Sequence, residues 1–127
     1  MKKQLTTTNA PVAIGPYSQG VEVNGLVFVS GQLPIDPKTG ETAEGGIKGQ
    51  TLQIFKNIEA ILKEANMTLD NVVKTTVFLT DMADFAAMNE VYAAQFSGIF
   101  PARSAFAVKT LPKNAEIEIE VIAMRDN

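Results

Sequence analysis

The sequence predicts an α+β domain, a single β-sheet with two helices packed on one face. Three observations predict it. Apolar or alternating runs of strand length recur at residues 3–6, 17–23, 26–32, 72–79, 100–108 and 115–121. Two longer stretches, 47–65 and 81–96, switch to a helical period. The order is then strand–strand–strand–helix–strand–helix–strand–strand, a grouping of hairpins and helices that suits an α+β sheet.

Each element has a local reason. Residues 9–16 are a loop, punctuated by Pro11, Gly15 and Pro16. Asn24-Gly25 is the strongest hairpin signal, a type I′ turn joining the strand 17–23 to the strand 26–32. The continuous apolar run Leu26-Val27-Phe28-Val29 suggests burial on both faces. Asp36 to Gly40 is a turn. Gly40, Gly45, Gly46 and Gly49 resemble a phosphate loop only in composition, because no Gly-Lys-Ser/Thr follows and no strand feeds directly into them. In the first helix Leu52, Phe55, Ile58, Leu62 and Ala65 form a core stripe with Ile54 and Ile61 beside it. Gln50, Gln53, Lys56, Asn57, Glu59 and Lys63 fall mostly on the wet side. Asp81 and Asp84 are N-cap candidates for the second helix, whose buried face carries Phe85, Met88, Tyr92 and Phe96, with Asn89 beside it.

The stretch from Phe100 to Val121 carries the chemistry. Arg103, Ala105 and Ala107 share one face of its first strand, and the two alanines leave space around the guanidinium. In its second strand Glu116, Glu118 and Glu120 oppose Ile117, Ile119 and Val121. The connection at residues 110–114 is short enough for a hairpin, which would set the guanidinium and the carboxylate row on one side of a sheet. An Arg103–glutamate surface pair on a solvated face would read the same way. Two helices cover only one side of the sheet, so the side assigned to Ala105, Ala107 and part of the run around Val27 and Val29 calls for a partner, and an oligomer is expected.

Composition removes whole classes of function. The chain has 127 residues, enough for one domain with a substantial core, spanning 1–127. It contains no histidine, cysteine or tryptophan. Ser-His-Asp and Cys-His nucleophilic systems are excluded, as are His/Cys zinc sites; no metal and no cofactor are expected. A net charge of −3 without a basic run disfavours nucleic acid as a partner. No apolar run is long enough to span a membrane, and no export signal is visible, so the cytoplasm is the expected location.

Five motifs, taken together, resemble one family. Gly15-Pro16-Tyr17-Ser18-Gln19, Val29-Ser30-Gly31-Gln32, Lys74-Thr75-Thr76-Val77-Phe78-Leu79, Met88-Asn89-Glu90-Val91-Tyr92 and Phe100-Pro101-Ala102-Arg103-Ser104 look like the RidA family, the YjgF-type enamine/imine deaminases. The likeness covers essentially the whole chain. It implies a chorismate-mutase-like α+β fold that assembles as a homotrimer, with helices outside, an inner barrel of sheets and active sites between subunits. It also implies hydrolysis of 2-iminopropanoate and 2-iminobutanoate, released by pyridoxal-phosphate dehydratases, to 2-oxo acids and ammonia.

The resemblance assigns roles by position. Arg103 is expected to bind the substrate carboxylate and Glu118 to hold the attacking water. Tyr17, Ser30, Gly31 and Asn89 are expected to line the cleft, with Tyr17 in the catalytic group. Ala105 departs from the family, where many members have cysteine; its backbone remains available to substrate, and the departure implies that a thiol is not needed. Each position also has a plainer reading: Tyr17 packed over the Gly-Pro turn, Ser30 satisfying backbone groups, Asn89 as a surface polar residue, Lys74 and Lys109 as solvated lysines. An imine carbon is already electrophilic, so a site without histidine suffices if it positions water and supplies mild base help. The alternative function is a non-catalytic 2-oxo-acid binder that regulates a partner protein. A ribonuclease, the label of some relatives, fits poorly with the acidic charge and the missing histidine.

Overall fold

The computed structural model describes residues 1–126. Six strands form one mixed sheet in the order β1-β2-β3-β6-β4-β5. They are β1 (Lys3–Leu5), β2 (Gly20–Val23), β3 (Leu26–Gln32), β4 (Val72–Leu79), β5 (Ala102–Ala107) and β6 (Ile117–Met124). Two helices, α1 (Gly46–Lys63) and α2 (Phe85–Ala94), pack on one face, as expected. Among the described residues no helix is long and apolar enough to cross a membrane.

The local signals hold where a turn dictates geometry. Asn24 and Gly25 have φ of 50° and 80°, the two left-handed positions of a type I′ turn, and they set Val23 opposite Leu26. The turn after α1 closes at Asn66 in the left-handed region (φ 58°), where the Met67 amide donates back to the Leu62 carbonyl at 3.0 Å. Asp81 caps a short 3₁₀ turn (Met82–Asp84) through the Ala83 amide at 2.9 Å, while Asp84, at the N-cap of α2, makes no such bond. α2 stops at Ala94, two residues short of the 96 expected.

Long-range pairing departs from the sequence reading. Residues 100–108 and 115–121 do not form a hairpin. β6 lies between β3 and β4, antiparallel to both, and β5 runs parallel to β4 at the sheet edge. The crossover through α2 makes this possible: a parallel strand needs such a connection, and five turn residues are not the only way to join β5 to β6. The second strand also begins only at Gly20, leaving Tyr17, Ser18 and Gln19 in the preceding loop.

The core lies between the sheet and α1. Ile54, Phe55, Ile58, Ile61 and Leu62 are essentially inaccessible and face Val27, Val29, Val77, Ile117, Ile119 and Val121. Burying such side chains contributes about 1.5–3 kcal/mol each. The helix stripe is rotated from the expected one: Leu52 is exposed, whereas Asn57 and Gln50 are buried. Asn57 is tolerated there because its amide donates to the carbonyls of Leu33 and Ile35 at 3.2 and 2.9 Å, fixing the loop after β3.

The uncovered face is made of other residues than the sequence suggested. Val27 and Val29 point at the helices, and Ala105 packs against the core from the same side. The open face carries Phe28, Phe78, Phe106, Ile122 and the carboxylates Glu118 and Glu120. β3 is therefore buried on one face only, with Phe28 43% exposed. Phe78 and Phe106 meet edge to face at 5.3 Å on neighbouring strands of this open side.

Candidate active site

β4 fixes the orientation of Arg103. The parallel register sets Arg103 beside Thr75, and Thr75 is fully buried under α2, its hydroxyl 2.7 Å from that of Tyr92. Arg103 therefore emerges on the helix-covered side, at the open edge. Its guanidinium lies 4.7 Å from the ring centre of Tyr92 and 5.3 Å from that of Phe85. These rings occupy the space that Ala105 and Ala107 were expected to leave empty. Each contact of this kind contributes about 0.5–2 kcal/mol. Nη1 donates to Asn89 Oδ1 at 2.7 Å. Among the described residues that is its one hydrogen bond, and it has no carboxylate partner. A guanidinium has five N–H donors, so most remain free to receive a carboxylate in a two-pronged grip. A shallow cleft of about 320 Å³ adjoins it, formed with Asn89, Tyr92, Phe100 and Pro101.

Glu118 is built differently. Strict alternation along β6 buries Ile117, Ile119 and Val121 and turns Glu118 and Glu120 to the open face. The register between β3 and β6 slips between Val29 and Gln32, so that Ser30 and Gly31 together oppose Glu120. Gly31 leaves bare backbone at this bulge, and the Glu118 carboxylate lies directly on it; a Cβ there would overlap the carboxylate. Glu118 is half-buried, and this burial, reinforced by the neighbouring charge of Glu120, raises its pKa above the usual carboxylate range.

A cleft of about 670 Å³ opens over this carboxylate. Tyr17, Ser30, Gly31, Gln32 and Glu120 line it, with Val12, Ile14, Leu33 and Ile35 as an apolar wall. The Tyr17 ring is half-exposed and its amide donates to the Gly15 carbonyl at 2.9 Å, closing the turn at the Gly-Pro step. Ser30 is occupied with backbone: its hydroxyl donates to the Ser18 carbonyl at 2.6 Å and its amide to the Gln19 carbonyl at 2.9 Å. Lys74 donates to the Ser104 hydroxyl at 2.8 Å on the open face, away from both clefts.

Within one protomer, then, the expected site is in two halves. Tyr17, Ser30, Gly31 and Glu118 share the larger cleft; Arg103 and Asn89 share the smaller; Ala105 lines neither. Arg103 and Glu118 emerge on opposite faces of the sheet, not on one side, because the strand pairing differs from the expected hairpin. The sequence reading gave no site role to Gln32 or to the rings under Arg103, and it placed Glu120 only as a member of the carboxylate row. Phe85, Asn89 and Tyr92, at spacings of four and three, lie on one helix face, and that pattern was the signal for a prepared arginine seat.

Comparison with known proteins adds an independent line. Residues 7–125 match the family model described as Endoribonuclease L-PSP. A RutC family protein of Pyrococcus horikoshii is 53% identical over 99% of this chain and 100% of its own length. The 2-iminobutanoate/2-iminopropanoate deaminase of Salmonella typhimurium is 48% identical, covering 98% of this chain and 99% of the relative. Among solved structures, Escherichia coli TdcF with bound serine superposes with a TM-score of 0.93 at 42% identity, over 98% of this chain and 99% of that one.

Proposed function

The chain belongs to the Endoribonuclease L-PSP family, the YjgF/RidA group, and from that membership we propose that it hydrolyses 2-imino acids such as 2-iminobutanoate and 2-iminopropanoate to 2-oxo acids and ammonia. The observation that carries this reading is the Glu118 carboxylate, seated on the bare backbone of Gly31 with its pKa raised. A carboxylate so placed holds a proton more strongly than an ordinary glutamate and is the stronger base toward water. Arg103 supplies the complementary need, a planar cation with free donors for the substrate carboxylate.

Because the two halves lie on opposite faces of one protomer, the working site combines Arg103 of one copy with Tyr17, Gly31 and Glu118 of another. A homotrimer with its open sheet faces turned inward is the assembly that family membership supports. In that site water adds to C2 of the imine, forming the C–O bond as the C=N π electrons move to nitrogen. Glu118 takes the water proton and returns it to nitrogen. Glu118 next moves the hydroxyl proton to nitrogen, and the C–N bond breaks as the oxygen electrons close the carbonyl, giving the 2-oxo acid and ammonia. Ala105 follows Arg103 on the same strand but lines neither cleft of the protomer, so its backbone enters this proposal only through the family resemblance.

The test couples a serine or threonine dehydratase to this protein and follows 2-oxo-acid appearance, with sedimentation on the same sample. Faster release by a trimer is expected. Unchanged release at every protein concentration sinks the enzymatic reading, and an active stable monomer sinks the shared site. One observation favours a second reading. TdcF was solved with bound serine, a carboxylate ligand that is not an imine, which supports a 2-oxo-acid-binding regulator as the second reading. Tight 2-oxobutanoate binding without hydrolysis would select it.

A further inference from the structure

We propose that Gln19 is the positioning residue of the larger cleft: it fastens the strap of residues 7–17 that carries Tyr17 and the apolar wall. This rests on the imine-hydrolase reading for its catalytic consequence, though not for the fastening itself. Gln19 is 3% exposed. Its Oε1 accepts from the Thr7 amide at 2.8 Å. Its Nε2 faces three carbonyls of the strap, those of Thr7, Ala10 and Pro11, at 3.0, 3.3 and 2.7 Å. One amide group therefore serves both ends of a turn that has no strand partner of its own. The main chain of the same residue reaches the other way. The Gln19 carbonyl accepts from the Ser30 amide, and the Ser18 carbonyl from the Ser30 hydroxyl. Ser30 adjoins Gly31, on which Glu118 lies. Gln19 is thus the node joining the Tyr17 wall to the Glu118 floor.

The strap needs such a node. It is flanked by open space on both sides, the large cleft and a second hollow of about 250 Å³ formed with Gln4, Thr6 and Ala13. Val12 and Ile14 are exposed, and of the strap residues Ala10 is buried in the core. Among the described residues, the other hydrogen bond that holds Tyr17 is the local one from its amide to the Gly15 carbonyl. The node needs a side chain that both accepts and donates. A leucine fills the volume but leaves three carbonyls and an amide without partners. A glutamate accepts from Thr7 but, when ionised, confronts carbonyl oxygens; when protonated it donates again.

The experiment uses the full chain and the variants Gln19→Leu and Gln19→Glu. Amide hydrogen exchange over peptides covering residues 6–19 reports fastening without reference to catalysis. Gln19→Leu should exchange there roughly tenfold faster or more, as expected for at least one lost hydrogen bond, with β6 and α1 unchanged. Gln19→Glu should show the same loosening at alkaline pH and tighten as pH falls. Imine hydrolysis should follow the strap, with kcat/KM reduced roughly tenfold mainly through KM, and with the Glu variant recovering toward the parent on acidification. Unaltered exchange in both variants overturns the fastening. Faster exchange with parental kinetics overturns the positioning role. If the parent protein hydrolyses no imine, the functional reading fails on that observation alone. The exchange data still decide whether Gln19 holds the strap, and 2-oxobutanoate binding takes the place of hydrolysis as the readout of position. Should Gln19→Leu not fold, the pH dependence of Gln19→Glu carries the same decision.

Discussion

Arg103 and Glu118 sit on the same sheet and are handled in opposite ways. Arg103 stands on an exposed edge strand, and its charge is accommodated: two aromatic faces lie within 5.3 Å and an amide oxygen accepts from it. Glu118 stands on a central strand, and its charge is opposed by burial and by a second carboxylate. The first arrangement keeps an ion permanently charged and ready to bind. The second makes a carboxyl group hold its proton more strongly than an exposed one does. In the proposed reaction these are binding and chemistry, and the fold separates them by putting one on each face.

The sharpest test removes the proton-transfer capacity alone. Glu118→Gln should lower kcat by about 10²–10⁴, the usual contribution of a general base, while 2-oxobutanoate still binds by calorimetry. If binding vanishes too, Glu118 serves to hold the arginine across the interface and the division between the halves is wrong. Gly31→Ala comes next. Its Cβ would displace the Glu118 carboxylate by about an ångström or more, a misplacement worth roughly a hundredfold in turnover. Thermal stability should stay near the parent, because the carboxylate has open cleft to move into; parental turnover would show that its present seat is irrelevant.

On the other face, Arg103→Lys keeps the charge and loses the planar fork. Hydrolysis should fall by more than about tenfold, with ligand binding weakened in parallel, since a charge-assisted bond contributes about 1.5–3 kcal/mol. Unchanged kinetics would make the arginine structural. A smaller effect concerns stability. Glu118 has a pKa raised on folding, so the folded chain holds that proton more strongly than the unfolded one. Its contribution to stability therefore falls as pH rises from the ordinary carboxylate range through the raised value. Glu118→Gln should melt higher than the parent at neutral pH, with the gap closing once the solution is acidified below that range; a gap of equal size at acid pH would refute the shift. Least of all, Ala105→Cys should alter hydrolysis by no more than about twofold, because Ala105 packs on the core and enters neither cleft. A hundredfold rise would show that the thiol matters after all.

What the sequence made legible follows the range of the forces involved. Turns and helix ends, set by a few neighbouring residues, read correctly at Asn24-Gly25 and around Asn66. The class of fold and the identities of Arg103, Glu118 and Gly31 as occupants of clefts were also accessible. The strand order was not. Nothing local in residues 100–121 tells β5 to leave β6 and lie parallel to β4, because that choice depends on the crossover through α2, whose Tyr92 hydroxyl meets that of Thr75 on β4. The same error put Arg103 and Glu118 on one face. Buried polar side chains were the other blind spot. Asn57 and Gln19 look like surface residues until the carbonyls they satisfy, between 8 and 24 positions away, are folded onto them.

The placement of β6 between β3 and β4 also governs how the chain is made. Synthesis delivers the middle of the sheet after both of its flanks. Until residues 117–124 leave the ribosome, β1-β2-β3 and β4-β5 are two separate ribbons, each presenting a bare hydrogen-bonding edge to the crowded cell. A chain truncated before residue 117 and released should accordingly be degraded rapidly by added protease and engage chaperones, and a released chain that includes residues 117–124 should be protected. The last strand to emerge acts as the zip that joins two halves already waiting.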